Sequence, residues 1–221
     1  MPKNSLFSTL KENLLFFFFP PKCALCGKVG FDGLCPRCKE EMDHIFKPQK
    51  FMTTGGIGFA DGMVCLFPYR NEAVKKLLFD WKRENYNDLT AIFTPYVETA
   101  LKKDLLPKEI HCISFLPRRK TARRKAGFDQ AEEIGKIVAN TLSIPQETLL
   151  MRKGFSKPQR KAKFEKRDEN VRGVFTATKE FQGETVLLID DIVTTGATAK
   201  EGARILKQAG AMKVYILSLA H

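Results

Sequence analysis

The stretch Val186-Leu187-Leu188-Ile189-Asp190-Asp191-Ile192-Val193-Thr194-Thr195-Gly196-Ala197-Thr198 decides how the chain is read. Its four leading apolar residues, mostly branched, predict a strand buried on both faces. Two carboxylates stand where that strand should end, and a turn of small and hydroxyl-bearing residues follows. Beyond the turn, Ala203, Ile205 and Leu206 lend an apolar side to a helix reaching Gln208, with Gly210 placed to close it. The order is strand, acidic edge, phosphate-sized turn, helix.

Each part has a chemical use. A turn of Thr, Gly and Ala lets backbone N–H groups converge on an anion, and the following helix points the positive end of its dipole at the same place. Thr194, Thr195 and Thr198 add hydroxyl donors, Gly196 lets a ligand approach the backbone, and Val193 and Ala197 complete the cradle. The acid pair does not favour a phosphate. It accepts hydrogen bonds from neighbouring sugar hydroxyls, or holds a divalent cation through water. Phosphate donors beside diol acceptors describe a ribose 5-phosphate. Acids at a strand end followed by capping threonines also occur with no ligand attached.

A length of 221 residues allows one medium domain plus a small appendage, and the hydrophobic fraction of 43% is ordinary for a globular protein. The net charge of +12, from 37 Lys and Arg against 25 Asp and Glu, selects anionic partners: phosphate esters, nucleic acid or acidic membrane. The apolar run Leu14 to Phe19 is six residues long and stops at Pro20-Pro21, too short to span a bilayer. With no transmembrane segment and no signal peptide in view, the expectation is a soluble, cytoplasmic protein. Residues 5–19 predict a short amphipathic helix, with Leu6, Leu10, Leu14 and Phe17 opposite Lys11 and Glu12. Its four phenylalanines pack on the protein's own body or, in the alternative, lie on a membrane surface.

Cys23-Ala24-Leu25-Cys26 and Cys35-Pro36-Arg37-Cys38 are paired C-x-x-C knuckles, from which four thiolates can converge on one tetrahedral ion. Structural zinc is the favoured reading, since four cysteines leave no open position; disulfides are the alternative, and the lack of a secretion signal counts against them. Cys65 and Cys112 fall in apolar, strand-like runs and read as buried and inert.

His44 to Thr54 is polar and unpatterned, and Gly55, Gly56 and Gly58 mark a boundary without matching a G-x-G-x-x-G fingerprint. Residues 1–50 are thus an N-terminal helix and a four-cysteine zinc module, and residues 51–221 the main domain. Gly62 to Phe67 predicts a strand, Glu72 to Lys82 a helix burying Val74, Leu77, Leu78 and Trp81, and Asp88 to Leu101 a second helix. Ile110 to Leu116 predicts a strand that empties into Pro117-Arg118-Arg119-Lys120, within a tract (118–125) where six of eight residues are basic. Ala126-Gly127-Phe128-Asp129-Gln130 then opens a helix to about Leu142. Two strands, each running into an anion-binding loop and a helix, predict a doubly wound parallel α/β sheet with its ligand off the carboxyl ends. Arg152 to Arg167 carries eight more basic residues before a strand near Phe175. Two basic runs flanking a phosphate site point to a bound anion more than to solvated loops.

The Val186–Thr198 stretch resembles the phosphoribosyl-pyrophosphate (PRPP) signature of type I phosphoribosyltransferases. The full order of motifs is a four-cysteine module, then F-L-P-R-R-K, A-G-F-D-Q, K-P-Q-R-K-A-K-F-E-K-R-D-E-N-V-R-G-V-F and V-L-L-I-D-D-I-V-T-T-G-A-T. From about Pro21 to the C-terminus it resembles the ComF family of phosphoribosyltransferase-like proteins, which is associated with DNA uptake and natural transformation in competent bacteria. The resemblance implies a type I phosphoribosyltransferase-like fold with a small zinc-binding module. It also implies PRPP with magnesium as ligand: Asp190 and Asp191 on the ribose hydroxyls and Thr194 to Thr198 around the 5-phosphate. Leu116, Pro117, Arg118, Arg119 and Lys120 would form a pyrophosphate loop. Thr121 to Gln130, with Arg123, Arg124, Lys125, Phe128 and Gln130, would form a flexible loop. Gln159, Arg167 and Asn170 fall on the family's Gln, Arg and Asn positions.

As an enzyme, such a protein would let a nucleophile displace pyrophosphate from the anomeric carbon, with Asp190, Asp191, Arg118 and Arg119 as catalytic groups and the acceptor open. As a binding module, it would sense PRPP or a nucleotide and hold single-stranded DNA through Arg160, Lys161 and Lys163, with Phe128, Phe155 and Phe164 as a stacking platform and competence proteins as partners. Three departures from the family pattern bear on the choice. Ala126 stands where the family has Arg, Asp129 where it has Asn, and Ser114-Phe115-Leu116-Pro117 where it has a Pro-Val-Pro-like strand end. A lost cation and a gained acid beside pyrophosphate weaken that subsite unless Arg123, Arg124 or Lys125 compensates. Ligand binding is therefore better supported than turnover.

Overall fold

Val186 to Ile189 are all fully buried, as a strand covered on both faces requires, and they lie within β6 (Thr185–Ile192). The computed structural model describes residues 20–52, 58–83, 87–119, 121, 124, 127–153 and 171–221. The helix expected over residues 5–19 lies outside them. So do Lys120, Arg123, Lys125, Ala126, Phe155, Gln159, Arg160, Lys161, Lys163, Phe164, Arg167 and Asn170.

Ahead of β6 come α1 (Pro36–Ile45), β1 (Gln49–Met52), β2 (Gly62–Phe67), α2 (Glu72–Arg83), α3 (Asn87–Lys102), β3 (Cys112–Phe115), α4 (Gln130–Leu142), β4 (Leu150–Arg152) and β5 (Phe175–Ala177). After it come α5 (Ala197–Gln208) and β7 (Lys213–Ala220). The main sheet has the order β1-β2-β7-β6-β3, with β1 antiparallel to β2 and every other pair parallel. β4 and β5 form a separate antiparallel ribbon.

Four elements depart from the sequence reading, which contains neither α1 nor β4. Gln49–Met52 is strand β1, not unpatterned loop: its backbone ladder to β2 pairs Gln49 with Cys65 and Met52 with Gly62, which needs no alternating side chains. The strand crosses residue 50, and Met42 of α1 is fully buried in the same core as α2 and α3. β7, for which the reading has no element, lies between β2 and β6 with parallel neighbours on both sides.

Side-chain alternation along β6 sorts the core into two layers. Leu187 and Ile189 join Leu77, Trp81, Phe93, Ile134 and Val138 beneath α2, α3 and α4. Val186 and Leu188 join Ala203 and Leu206 of α5 and Phe175 of β5 on the other face. The polypeptide leaving β3 therefore turns to a helix on one face, and that leaving β6 to a helix on the other. Between the carboxyl ends of these two adjacent strands lies a crevice of the kind where open α/β sheets bind ligands.

Candidate functional site

Asp190 and Asp191 are the sixth and seventh residues of β6, so their side chains leave opposite faces of the sheet at its carboxyl edge. Each carboxylate turns one oxygen back to the chain. Asp190 Oδ1 accepts from Asp191 N at 2.9 Å, and Asp191 Oδ1 accepts from Ile192 N at 2.8 Å. The other oxygen of Asp191, Oδ2, is 2.7 Å from Lys82 Nζ at the end of α2. Burial, and then the Asp191 charge, push the Asp190 carboxyl well above the usual carboxylate range, while Lys82 pulls it down.

The turn after β6 is tied at its base and open at its crest. Val193 N donates to Ala220 O at 2.9 Å, which seats Val193 in the sheet, whereas Thr194 and Thr195 are exposed. Gly196 is the N-cap of α5, with φ of +75°, a left-handed conformation that costs little without a Cβ. A glycine brings no capping side chain. Thr195 Oγ1 reaches Ala197 N only at 3.4 Å, which leaves the first-turn N–H groups of α5 as donors for an anion.

Across the crevice, the loop after β3 is built by side chains that the sequence assigned elsewhere. Asp129 is 1% exposed and caps α4: its Oδ1 accepts from Ala131 N at 3.2 Å and its Oδ2 from Arg118 N at 3.0 Å. The acid expected to weaken a pyrophosphate subsite is instead spent on holding that loop to the helix. Gln130, expected on a flexible loop, is fully buried as the first residue of α4. Its amide donates to Trp81 O at 2.8 Å, and its carbonyl oxygen accepts from the Arg118 guanidinium. Phe128 is half-buried, with its ring 6.3 Å from that of Trp81, so it packs inward and does not offer an exposed stacking face. Arg119 and Arg124 are exposed. Ser114, one of the departures at the strand end, is fully buried and accepts from Leu149 N at 3.1 Å.

Three further residues escaped the sequence reading. Lys82 read only as the polar end of an amphipathic helix. Arg152 donates to Pro117 O at 3.5 Å and lies 5.2 Å over the Phe175 ring, and burial lowers its pKa from the ordinary arginine value. Glu201 is 6% exposed on α5, where it takes a two-pronged ion pair from Arg204 and accepts from Gly173 N at 2.6 Å. These bonds from Arg204 hold the Glu201 carboxyl below its ordinary value, and together they moor the chain after the second basic run to α5. The Lys82 and Arg152 partners lie on other elements, as does Gly173 for Glu201, so the local pattern marks none of these contacts; only the Glu201–Arg204 pair, three residues apart on α5, could be read from spacing.

The four knuckle cysteines converge as their spacing predicts. The Sγ atoms of Cys23, Cys26, Cys35 and Cys38 all lie within 4.8 Å of one another and could hold a metal ion such as zinc. Zn–S bonds of about 2.3 Å set the edge of an ideal tetrahedron at about 3.8 Å. The Cys26–Cys35 separation is 3.8 Å. Burial pushes the Cys23 thiol up, but backbone hydrogen bonds from Cys26, Cys35 and Leu25 bring it down to about 6. Cys65 and Cys112 are buried, and desolvation lifts them to about 12 and about 11, so neither carries a thiolate at neutral pH.

Residues 125–221 match the family of the phosphoribosyl transferase domain. The chain is 27% identical over 100 residues to competence protein F of Haemophilus influenzae, a match covering 43% of this chain and 44% of that protein. Over these stretches the chain is similar to the phosphoribosyl transferase domain and to competence protein F. A stretch of 46 residues is 44% identical to ribose-phosphate pyrophosphokinase of Synechococcus elongatus, covering 21% of this chain and 14% of that enzyme. Thus the matches span less than half the length of either curated relative. Among solved structures, adenine phosphoribosyltransferase from Leishmania tarentolae aligns over 76% of this chain and 92% of its own, at 14% identity and a TM-score of 0.40. Glutamine PRPP amidotransferase from B. subtilis, complexed with ADP and GMP, aligns over 59% of this chain and 26% of its own, at 20% identity and a TM-score of 0.41. The fold is α/β with a largely parallel sheet, and residues 125–221, which contain β6, α5 and β7, are the part similar to the phosphoribosyl transferase domain. No helix among the described residues is long and apolar enough to cross a membrane.

Proposed function

We propose that the crevice between β3 and β6 binds PRPP. The observation that carries this reading is the juxtaposition of an acid pair at the end of β6 with the uncapped first turn of α5, facing an arginine loop across a switch in helix side. The ribose hydroxyls meet Asp190 and Asp191, the 5-phosphate meets the N–H groups and hydroxyls of Thr194 to Thr198, and the pyrophosphate lies toward Leu116 to Lys120. Magnesium suits the hard oxygen donors of Asp190 and Asp191, and bound there with PRPP it would supply positive charge against the pyrophosphate. Arg118 and Arg119 stabilise the charge that develops on pyrophosphate as a nucleophile displaces it from the anomeric carbon. Asp129 keeps Arg118 in position for that role. The four cysteines hold one structural zinc. This chemistry serves DNA uptake in the cytoplasm, as the likeness to competence protein F suggests, and the net charge of +12 favours single-stranded DNA as a further partner of the segment containing Arg160, Lys161 and Lys163.

Titration calorimetry with PRPP and Mg²⁺ tests the site. Asp190→Asn with Asp191→Asn keeps shape but removes both charges, and an amide is a weaker acceptor than a carboxylate. The double variant should stay folded and lose PRPP affinity at least tenfold, about 1.4 kcal/mol. Thr195→Val should weaken ribose 5-phosphate binding as well. Equal affinities in wild type and variants would put the site elsewhere.

A further inference from the structure

We infer that Lys82 is a positioning residue that occupies, in the ligand-free protein, the place at Asp191 which a cation or a sugar hydroxyl needs, so that the site loads by exchange. The inference rests on the PRPP reading for the identity of the incoming ligand, but its geometry is independent of it. Asp191 has two carboxylate oxygens and both are taken: Oδ1 by Ile192 N at 2.8 Å and Oδ2 by Lys82 Nζ at 2.7 Å. A cation approaching Oδ2 meets the ammonium at close range and is repelled by it. The pair is not a loose surface contact either, since the Lys82 and Asp191 side chains are 29% and 14% exposed. An ion pair withdrawn from water to this degree is screened much less than one on the surface.

The position of Lys82 gives the exchange its purpose. Two carboxylates on consecutive residues repel each other, and the neighbouring Asp190 accepts from Asp191 N on its Oδ1. The ammonium offsets one of the two negative charges while no cation is present. It also stands beside the other half of the crevice, because the preceding residue, Trp81, accepts from Gln130, which in turn accepts from Arg118. When a ligand brings its own cation and anion together, the anion offers Lys82 a new partner as the cation takes the old one. A bare divalent ion offers none, and must displace a unit positive charge at close range. Metal alone therefore binds weakly in wild type.

The test is Mn²⁺ binding without any phosphate ester, followed by electron paramagnetic resonance on the full-length chain. Lys82→Met should bind Mn²⁺ about tenfold more tightly than wild type, and Lys82→Arg should stay within about threefold of wild type because the charge remains. The gain should vanish when Lys82→Met is combined with Asp191→Asn. A merely structural ion pair behaves otherwise: its loss loosens Asp191 and leaves Mn²⁺ affinity unchanged or lower, and that result overturns the inference. Lys82→Gln repeats the measurement if the Met variant does not fold. A wild type that fails to bind PRPP while Lys82→Met gains Mn²⁺ affinity would uphold the exchange and reject the PRPP reading. PRPP binding with unchanged Mn²⁺ affinity would do the reverse.

Discussion

Replacing Asp129 by Ala should destabilise the protein by about 2–3 kcal/mol and leave its hold on pyrophosphate no better. The side chain is 1% exposed, and its two oxygens serve different donors: Ala131 N at 3.2 Å on the first turn of α4, and Arg118 N at 3.0 Å on the loop after β3. Loss of an N-cap acceptor costs about 1 kcal/mol. Leaving the part-buried Arg118 N–H without its partner costs about 1–2 kcal/mol more. For a chain of this size the sum corresponds to a fall in melting temperature of roughly 5–10 °C. Asp129→Asn keeps one acceptor oxygen and should lose about half as much.

The pH dependence follows from the direction of the carboxyl's shift. Burial raises the Asp129 pKa above its ordinary value, against the pull of the Arg118 N–H and charge. The folded state therefore binds the proton more tightly than the unfolded one, and wild type loses some stability as pH rises from the ordinary carboxyl value through the folded value. The alanine variant lacks that loss, so its deficit should be largest below the window and smaller above it. Urea unfolding across this pH range, with pyrophosphate titrated into both proteins, decides the matter. A deficit below about 1 kcal/mol, or a tenfold gain in pyrophosphate affinity, would mean that the carboxylate faces the ligand and not the loop.

Two other outcomes are expected. Metal analysis should find about one zinc per chain, absent from Cys23→Ser and Cys38→Ser; because Met42 of α1 is buried in the main core, loss of the metal should lower the melting temperature of the whole protein, and a fully folded metal-free wild type would refute the reading. Neutralising Arg160, Lys161 and Lys163 together should weaken single-stranded DNA binding and flatten its salt dependence by about 0.7 in log–log slope for each phosphate left unneutralised, whereas no detectable DNA binding by wild type at low salt would remove the proposed partner.

The elements that lead from the crevice were legible wherever the apolar spacing was strong. The strand at Gly62–Phe67 and the helices at Glu72–Arg83 and Asn87–Lys102 stand where periodicity put them, within a residue or so at their ends. β1 escaped because an edge strand of Gln49, Lys50, Phe51 and Met52 is held by backbone pairing, which leaves no mark on composition. β7 carried a signal, the apolar run from Val214 to Leu219 broken only by Ser218, that went unused. The acid pair and the turn after it were legible because one short segment contains them whole.

By itself the sequence determined what its local chemistry can settle: a two-faced buried strand, an acidic edge, a helix start open to anions, and two knuckles spaced for one metal. Only the tertiary structure decided how those pieces are charged and held. Asp129 became a cap and a loop anchor instead of an acid against the ligand, Gln130 a buried relay between Trp81 and Arg118, and Lys82 the partner of Asp191. Periodicity reports the backbone state of a residue and whether it is buried. It does not report which side chain from another element will meet it, and at a crevice assembled from α2, β3, α4 and β6 that choice of partner sets the electrostatics of the site.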